Sequence, residues 1–391
     1  MALVKGWAAC DEMQELEKRV SEIHQGTVVV DGHCHLTKEL IGKRDQGERQ
    51  VFKNYYLPIF NKVGLKVLLM IIGGDNNANV KGSDLMLWGA LEVIDYVFQE
   101  IEECSDVVQL CRSSSEINEA LKEGKIAIIL GLEGGRPLEG RPMQDSLSTL
   151  RTFYRLGVRS LQLTGNGRNR LADGIAESRT NGGLTEFGVA VVKEMNRLGM
   201  IIDISHLAPP GVTDVLDITD GPIVASHSNA RVICDHPRNL NDEVIKRIAE
   251  RGGVVGLSFF STLLNKDKEL ATVEDLADHI DYIRSLVGID FVGLGPDFSE
   301  FSIRISQWTG ARGNMEGVQY GNKESYFHPE LRDWTHFSNI TRILLKRGYS
   351  EEAIRKVLGR NFLRVYKKVL EFSSCQGREY EFRPGGSFKF S

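Results

Sequence analysis

The sequence has few cysteines for its length and no long apolar run. Its six cysteines are spread over 391 residues without a CxxC pair, which excludes a disulfide-stapled scaffold and fits a reducing, cytoplasmic setting. No stretch reaches the roughly 20 consecutive apolar residues of a membrane span, and the N-terminus lacks the apolar run of a signal peptide. We therefore expect no membrane partner.

Strong charge of one sign is also missing. The formal net charge is −5, and the lysines and arginines form no basic stripe, so the electrostatic footprint of a nucleic-acid binder is absent. The composition is 41% hydrophobic and 26% charged, as in an ordinary globular protein with a large core. We expect a small-molecule substrate as the main partner, no nucleic acid, and a homodimer as the candidate assembly.

What the sequence does contain is a regular alternation of strand-like and helix-like segments. Eight apolar, β-branched runs bounded by Gly, Pro or Asp predict strands. They cover residues 27–35, 64–72, 125–133, 158–164, 200–206, 222–228, 253–260 and 291–298. Between them lie segments with helical spacing and capping residues, among them 113–124, 184–199 and 241–253. Buried strands that alternate with amphipathic helices indicate a parallel sheet covered by helices.

Eight such units predict an α/β fold, a closed (β/α)8 TIM barrel. We expect a single domain over residues 1–391 with its core at about 27–370, an N-terminal helix over 1–26 and an irregular C-terminal tail from about 373. The competing interpretation is an open doubly wound sheet, but no glycine-rich dinucleotide fingerprint supports it.

Ionisable side chains stand where the predicted strands end. His33 and His35 fall on one face of strand one, because side chains alternate along a strand. The ends of four further strands carry Glu133, His206, His227 and Asp297. Barrel enzymes build their active sites at this rim. Taken singly, each histidine could be a hydrogen-bonded structural residue and Asp297 could cap a helix, so the informative feature is the convergence of four imidazoles and two carboxylates.

Glu133 is the residue of this set that points most strongly to a bound cation. It follows the run IAIILGL, where a carboxylate loses its hydration at high cost unless it is paired or bound to a cation. Histidine with carboxylate suits Zn²⁺ or a similar divalent ion, and one carboxylate can bridge two ions. Two such ions clamp a water that becomes a hydroxide nucleophile near neutral pH. The sequence therefore predicts a metal-dependent hydrolase.

Three long segments carry a family resemblance. They are GLTEFGVAVVKEMNRLGMIIDISH at 183–206, SHSNARVICDHPRNL at 226–240 and FVGLGPDF at 291–298. Through them the chain resembles the membrane (renal) dipeptidase family of the amidohydrolase superfamily, from about residue 27 to 370. The resemblance implies a metallopeptidase that cleaves a dipeptide or a similar small amide by a metal-bridged hydroxide.

The family resemblance also implies a cofactor of two zinc ions and a role for each residue. The implied ligands are His33, His35 and Glu133 for the first ion, and Glu133, His206 and His227 for the second. Asp297 would be the catalytic residue that passes a proton between the bridging water and the leaving amine. Arg231, four residues after His227, would bind the free carboxylate of the substrate through a bidentate guanidinium. Without the family, a surface charge is an equally good interpretation of Arg231.

Two positions depart from the family pattern. The family carries His-x-Asp on strand one, whereas this chain has His-Cys-His ending at His35, so the site gains one net positive charge. That should make the bridging water more acidic and could weaken or reorder the first metal site. After the Leu-Thr of strand four, the family has a histidine that polarises the scissile carbonyl, but here the position is Gly165. Gly165 and Arg168 are therefore candidate substrate-site residues, since Arg168 or Arg170 could supply the missing oxyanion donor.

The missing histidine leaves two other hypotheses open. A hydrolase of the same architecture could act on a lactone or a non-peptide amide, for which the arginine-rich loop at 165–170 is the relevant feature. The third hypothesis is a non-catalytic binding protein descended from an enzyme. The retained Glu133, His206, His227 and Asp297 argue against it, because a protein without catalytic activity has little need for ionisable side chains at the ends of several buried strands.

Overall fold

The computed structural model of the chain describes residues 2–75, 86–139, 143–268, 270–298, 314–315, 318–319 and 326–375. The strands are β1 (Val29–Cys34), β2 (Leu65–Gly74), β3 (Val108–Leu110), β4 (Ile126–Glu133), β5 (Val158–Gln162), β6 (Ile201–Asp203), β7 (Val224–Ala225), β8 (Val254–Leu257), β9 (Val292–Leu294), β10 (Asn314–Met315) and β11 (Val318–Gln319). The α-helices are α1 (Ala2–Gln25), α2 (Leu36–Asp45), α3 (Leu57–Val63), α4 (Met86–Glu103), α5 (Ser114–Lys122), α6 (Met143–Arg155), α7 (Glu186–Leu198), α8 (Pro209–Ile218), α9 (Asp242–Glu250), α10 (Ser261–Leu264), α11 (Val273–Val287), α12 (Phe337–Lys346), α13 (Glu351–Arg355) and α14 (Asn361–Cys375).

Eight parallel strands form a ring in the order β1-β2-β4-β5-β6-β7-β8-β9. The segment after β9 joins the ring to β1, since the Asp297 N–H donates to the His33 carbonyl at 3.2 Å and the His35 N–H to the Phe298 carbonyl at 3.1 Å. This topology confirms the predicted (β/α)8 barrel and excludes the open doubly wound sheet. It also places Asp297 directly beside the two histidines of the first strand.

Three strands of the described structure were not predicted from the sequence. β3 pairs with the first three residues of β4, beside the ring, and β10 and β11 form a separate two-stranded antiparallel sheet. Each has only two or three residues and lies outside the eight apolar runs, which is why the pattern did not reveal them.

The predicted helices begin at their polar caps. The side chains of Ser113, Thr185 and Asn241 each accept a backbone N–H three residues further on, at 2.9–3.2 Å, and such a cap stabilises a helix by about 1 kcal/mol. α1 matches the predicted N-terminal helix, whereas the predicted tail lies almost wholly outside the described residues. Among the described helices, none combines the length and the apolar character that a membrane crossing requires.

The last of the described helices, α14, fills the amino end of the barrel. Phe362 and Tyr366 are fully buried in one cluster with Val30, Val67 and Val254, which lie at or near the starts of their strands. The amino end is thus closed by apolar side chains, and the ionisable residues gather at the opposite, carboxyl end.

Glycines in three strands make room for the Phe362 ring. A Cβ at Gly32, Gly256 or Gly293 would lie 2.4–2.6 Å from a carbon of that ring. We therefore expect Gly293→Ala to lower the free energy of unfolding by about 1–3 kcal/mol through overpacking, as measured by urea denaturation. Gly221→Ala is the matched control, because a Cβ there meets no atom within 4 Å.

The Gly293 prediction has a second control in the ring itself. In a Gly293→Ala/Phe362→Leu double variant, the smaller leucine should relieve the overlap with the new methyl group. The loss of unfolding free energy in the double variant should therefore be smaller than the sum of the losses in the two single variants. Equal losses in Gly293→Ala and Gly221→Ala would contradict the proposed packing.

Candidate metal centre

Six ionisable side chains meet at the carboxyl end of the barrel. They are His33 in β1, His35 just after it, Glu133 at the end of β4, His206 after β6, His227 after β7 and Asp297 after β9. The four histidines are at most 9% exposed. The structure therefore brings together every residue that the sequence suggested as a metal ligand or proton carrier, in surroundings shielded from water.

Glu133 lies between two groups of imidazoles. Its Oε2 atom is 3.3 Å from His35 Nε2 and 4.0 Å from His33 Nε2. Its Oε1 atom is 3.3 Å from His206 Nε2, and the Nε2 atoms of His206 and His227 are 2.8 Å apart. One carboxylate thus presents a separate oxygen to each pair of histidines.

Asp297 faces the first of these pairs. Its Oδ1 atom is 3.1 Å from His35 Nε2 and 3.7 Å from His33 Nε2. Both Asp297 and His206 have left-handed backbone conformations, with φ of 65° and 67°. Such a conformation costs a non-glycine residue about 1–3 kcal/mol and is found preferentially at functional sites.

Burial dominates the ionisation of the six side chains. It lowers the pKa of all four imidazoles, that of His33 to about 3. It raises the pKa of Glu133 to about 8, and the nearby charge of Asp297 adds to this effect. Burial also raises the pKa of Asp297. The imidazoles are therefore neutral at pH 7, each with one nitrogen lone pair, and a bound cation would offset the cost of burying the two carboxylates.

The donor atoms fit divalent metal ions. His206 Nδ1 lies 2.6 Å from the amide oxygen of Asn166, and because that oxygen only accepts, the ring proton is on Nδ1 and Nε2 offers its lone pair. The Nε2 atoms of His33 and His35 are 3.4 Å apart, close to the about 3.3 Å between two nitrogens that each lie about 2.0 Å from a tetrahedral ion. Imidazole and carboxylate donors together suit Zn²⁺.

Asp75, just after β2, is a buried residue of this region that the sequence did not reveal. Its carboxylate accepts the N–H groups of Gly165 and Arg136 at 2.8 and 2.9 Å and the side-chain amide of Asn169 at 3.0 Å. Burial raises its pKa to about 6 against the effect of these hydrogen bonds. Asp75 therefore connects the loops that follow β2, β4 and β5. Its position at the end of a strand was the only feature of the sequence that could have marked it as a residue of this region.

The two arginines suggested as oxyanion donors lie in other contacts. The Arg168 guanidinium binds the carboxylate of Asp173. The Arg170 guanidinium stacks over the ring of Phe187, 4.6 Å from its centroid. Their described contacts thus hold the loop in shape and do not involve the six-residue cluster.

Two other arginines line a pocket that also includes His206. The side chain of Arg231 is 36% exposed and is paired with an aspartate four residues further on, at 3.3 Å. Arg238 is only 3% exposed, donates to the His227 carbonyl at 3.3 Å, and counteracts the raised pKa of Glu133 with its charge. Nothing in the sequence distinguishes Arg238 from Arg231, because the path of the loop decides which of the two is buried.

Comparison with known proteins gives a consistent result. The sequence profile of the membrane dipeptidase family (peptidase family M19) matches residues 17–310 and 320–378. Dipeptidase tcpJ of Claviceps purpurea (strain 20.1) is 31% identical over 304 residues, which are 78% of this chain and 65% of that protein. Dipeptidase verJ of Clonostachys rogersoniana is 34% identical over 290 residues, which are 73% and 66% of the two chains. The chain spans just under two thirds of the length of these curated relatives.

A solved structure extends the match to nearly the whole barrel. The crystal structure of an amidohydrolase from Pseudomonas aeruginosa is similar with a TM-score of 0.71 and 28% sequence identity, over 90% of this chain and 99% of that chain. The barrel fold is therefore shared along almost the full length of that protein.

Proposed function

Because the chain belongs to the membrane dipeptidase family, we propose that it is a zinc-dependent hydrolase of dipeptides or similar small amides. The observation that carries this proposal is Glu133, whose two oxygens face His35 and His206 at 3.3 Å each. This geometry suits two ions bridged by one carboxylate. His33, His35 and Glu133 would hold the first ion, and Glu133, His206 and His227 the second.

Bound zinc would supply Lewis acidity and would lower the pKa of a water to about 7. The protein contributes the surroundings in which this chemistry is effective. His33 and His227 are fully buried, so few water molecules compete with the substrate, and electrostatic interactions are stronger than in bulk solvent.

Asp297 is the proposed proton carrier. Its carboxylate lies 3.1 Å from His35 Nε2, at the edge of the cluster, and burial raises its pKa above the ordinary value. A carboxyl group tuned in this direction can take a proton from the attacking water and return it to the leaving amine. The bond broken is the amide C–N bond, and the products are an amine and a carboxylic acid.

The pocket lined by Arg231 and Arg238 is the proposed position of the substrate's free carboxylate. A guanidinium can bind a carboxylate through two parallel hydrogen bonds. Arg238 is the better shielded of the two and lies against His227, so we expect it to contribute more. Arg231, at the exposed edge of the same pocket, would assist.

The test is metal analysis combined with a hydrolysis screen of the purified protein over L,L- and L,D-dipeptides, N-acyl amino acids and lactones. We expect two zinc ions per chain and hydrolysis of at least one dipeptide, abolished by a chelator and restored by zinc. A protein that retains no divalent ion would contradict the proposal.

A lactone or non-peptide amide is the second candidate substrate class. It is favoured by Gly165, which offers no side chain where the family has a histidine, and by the engagement of Arg168 with Asp173. Neither residue supplies an evident donor to an amide carbonyl. If lactones are hydrolysed faster than every dipeptide in the screen, this second assignment becomes the better one.

We expect slow turnover of ordinary dipeptides and a gain from Gly165→His. One oxyanion donor contributes about 10²–10³-fold in rate, and we expect about tenfold of this to be recovered, because the Asp75 hydrogen bond holds the loop in place. The measurement is kcat on L,L-dipeptides at equal metal content. Fast hydrolysis by the unmodified protein would show that another group has replaced the histidine.

A further inference from the structure

Ser226 lies between two of the candidate ligands. Its Oγ atom is 3.2 Å from His33 Nδ1 and 2.8 Å from His227 Nδ1. All three residues are fully buried. In the proposed centre these histidines belong to different ions, so one hydroxyl contacts a ligand of each.

The remaining partners of Ser226 decide how its hydroxyl is used. Its backbone N–H donates to Asp203 Oδ1 at 3.0 Å, and its Oγ atom lies 3.5 Å from Ser205 Oγ. If His33 and His227 hold metal through Nε2, both of their Nδ1 atoms carry a proton. The two lone pairs of Ser226 Oγ then accept from the two imidazoles, and its own proton is directed to Ser205.

We propose that Ser226 is a positioning residue that, in the metal-bound centre, accepts the Nδ1 protons of both His33 and His227, so that both Nε2 atoms present lone pairs to the metal site. This inference rests on the proposed metal centre. A hydrogen bond to the far nitrogen of a ligating histidine fixes both the tautomer and the orientation of the ring. A single serine would thereby link the affinities of the two metal sites.

The other two histidines are held differently. His206 Nδ1 has the Asn166 amide as its partner, whereas His35 Nδ1 has no hydrogen-bond partner among the described residues. Ser226 therefore orients the better-fixed histidine of the first pair. Loss of the Ser226 hydroxyl should therefore lower the zinc affinity of the first site as well as that of the second.

The test is zinc titration of Ser226→Ala, with Ser228→Ala as the matched control. Both serines flank His227 and are fully buried, but the Ser228 hydroxyl has no hydrogen-bond partner in the described part of the chain. We expect Ser226→Ala to weaken both zinc affinities by about 10- to 100-fold and Ser228→Ala to leave them unchanged. Ser226→Thr, which keeps the hydroxyl, should restore part of the affinity.

A second readout uses the metal-free protein. Two-bond ¹⁵N–¹H spectra of histidine-labelled protein distinguish the two tautomers, and we expect His33 to carry Nδ1–H in the wild type and to lose that preference in Ser226→Ala. His227 does not serve for this readout, because its Nε2 atom lies 2.8 Å from His206 Nε2 and without metal donates to the lone pair there. An unchanged His33 tautomer, or weakening at neither or only one zinc site, would overturn the role of Ser226. A wild type that binds no zinc would overturn the proposed function instead, and the tautomer spectra would still decide the role of the serine.

Discussion

Replacing Glu133 with alanine is expected to remove more than one metal ion per chain and to lower kcat by about 10³-fold or more. One side chain faces both pairs of histidines, at 3.3 Å on each side, so its loss takes a ligand from two sites at once. Without bound metal, the attacking water returns to a pKa near 15.7 from about 7, which accounts for the size of the loss. Metal analysis and steady-state kinetics on the same preparation measure both effects.

Two controls separate this effect from unfolding. His35→Ala removes a candidate ligand of the first ion only, so it should leave the second ion largely in place. The metal-free Glu133→Ala protein should be no less stable than the metal-free wild type, because burial raises the pKa of Glu133 to about 8 and makes its charged form costly. Two ions per chain in Glu133→Ala would show that the bridging role is wrong.

The barrel and the main cluster could be predicted because both depend on short-range periodicity. Alternation along the predicted first strand put His33 and His35 on one face, and a carboxylate at the end of the buried strand β4 marks Glu133. Since parallel strands end at the same rim, these residues had to meet there. None of this required knowledge of the loops.

Residues in loops could not be predicted in the same way. Asp75, Asn166 and Arg238 reach the site through the path of the chain after a strand ends, and no period connects them to it. Arg231 and Arg238 are seven residues apart in one loop, yet one is partly exposed and the other buried. Position in the sequence indicated that this loop matters, and only the structure distinguishes its two arginines.

The same limit applies to hydrogen-bond partners of the histidines. Ser226 stands next to His227 in the sequence, but its contact with His33 connects the end of β7 with β1, which are not neighbours in the ring. Ring closure between β1 and β9 and the parallel order of the strands bring these residues together. A sequence without a known register gives no means of pairing them.

Arg238→Met is expected to lower kcat/KM by about 10- to 100-fold for substrates with a free carboxylate, and Arg231→Met by a smaller factor. A charge-assisted pair between guanidinium and carboxylate contributes about 1.5–3 kcal/mol when it is shielded from water. Arg238 is 3% exposed, whereas the Arg231 side chain is 36% exposed and already paired. Removal of the shielded guanidinium should therefore lower kcat/KM more than removal of the exposed one.

The decisive measurement compares each enzyme on a dipeptide and on its C-terminal amide. If an arginine binds the carboxylate, amidation should cost the wild type the same factor as the mutation, and the mutant should be almost indifferent to amidation. Metal content must be measured in parallel, because Arg238 also donates to the His227 carbonyl. The alternative outcome for each arginine is that the factor in kcat/KM lost on amidation multiplies with the factor lost on mutation. If that is found for both arginines, neither guanidinium binds the carboxylate, and a neutral substrate such as a lactone becomes the better assignment for this pocket.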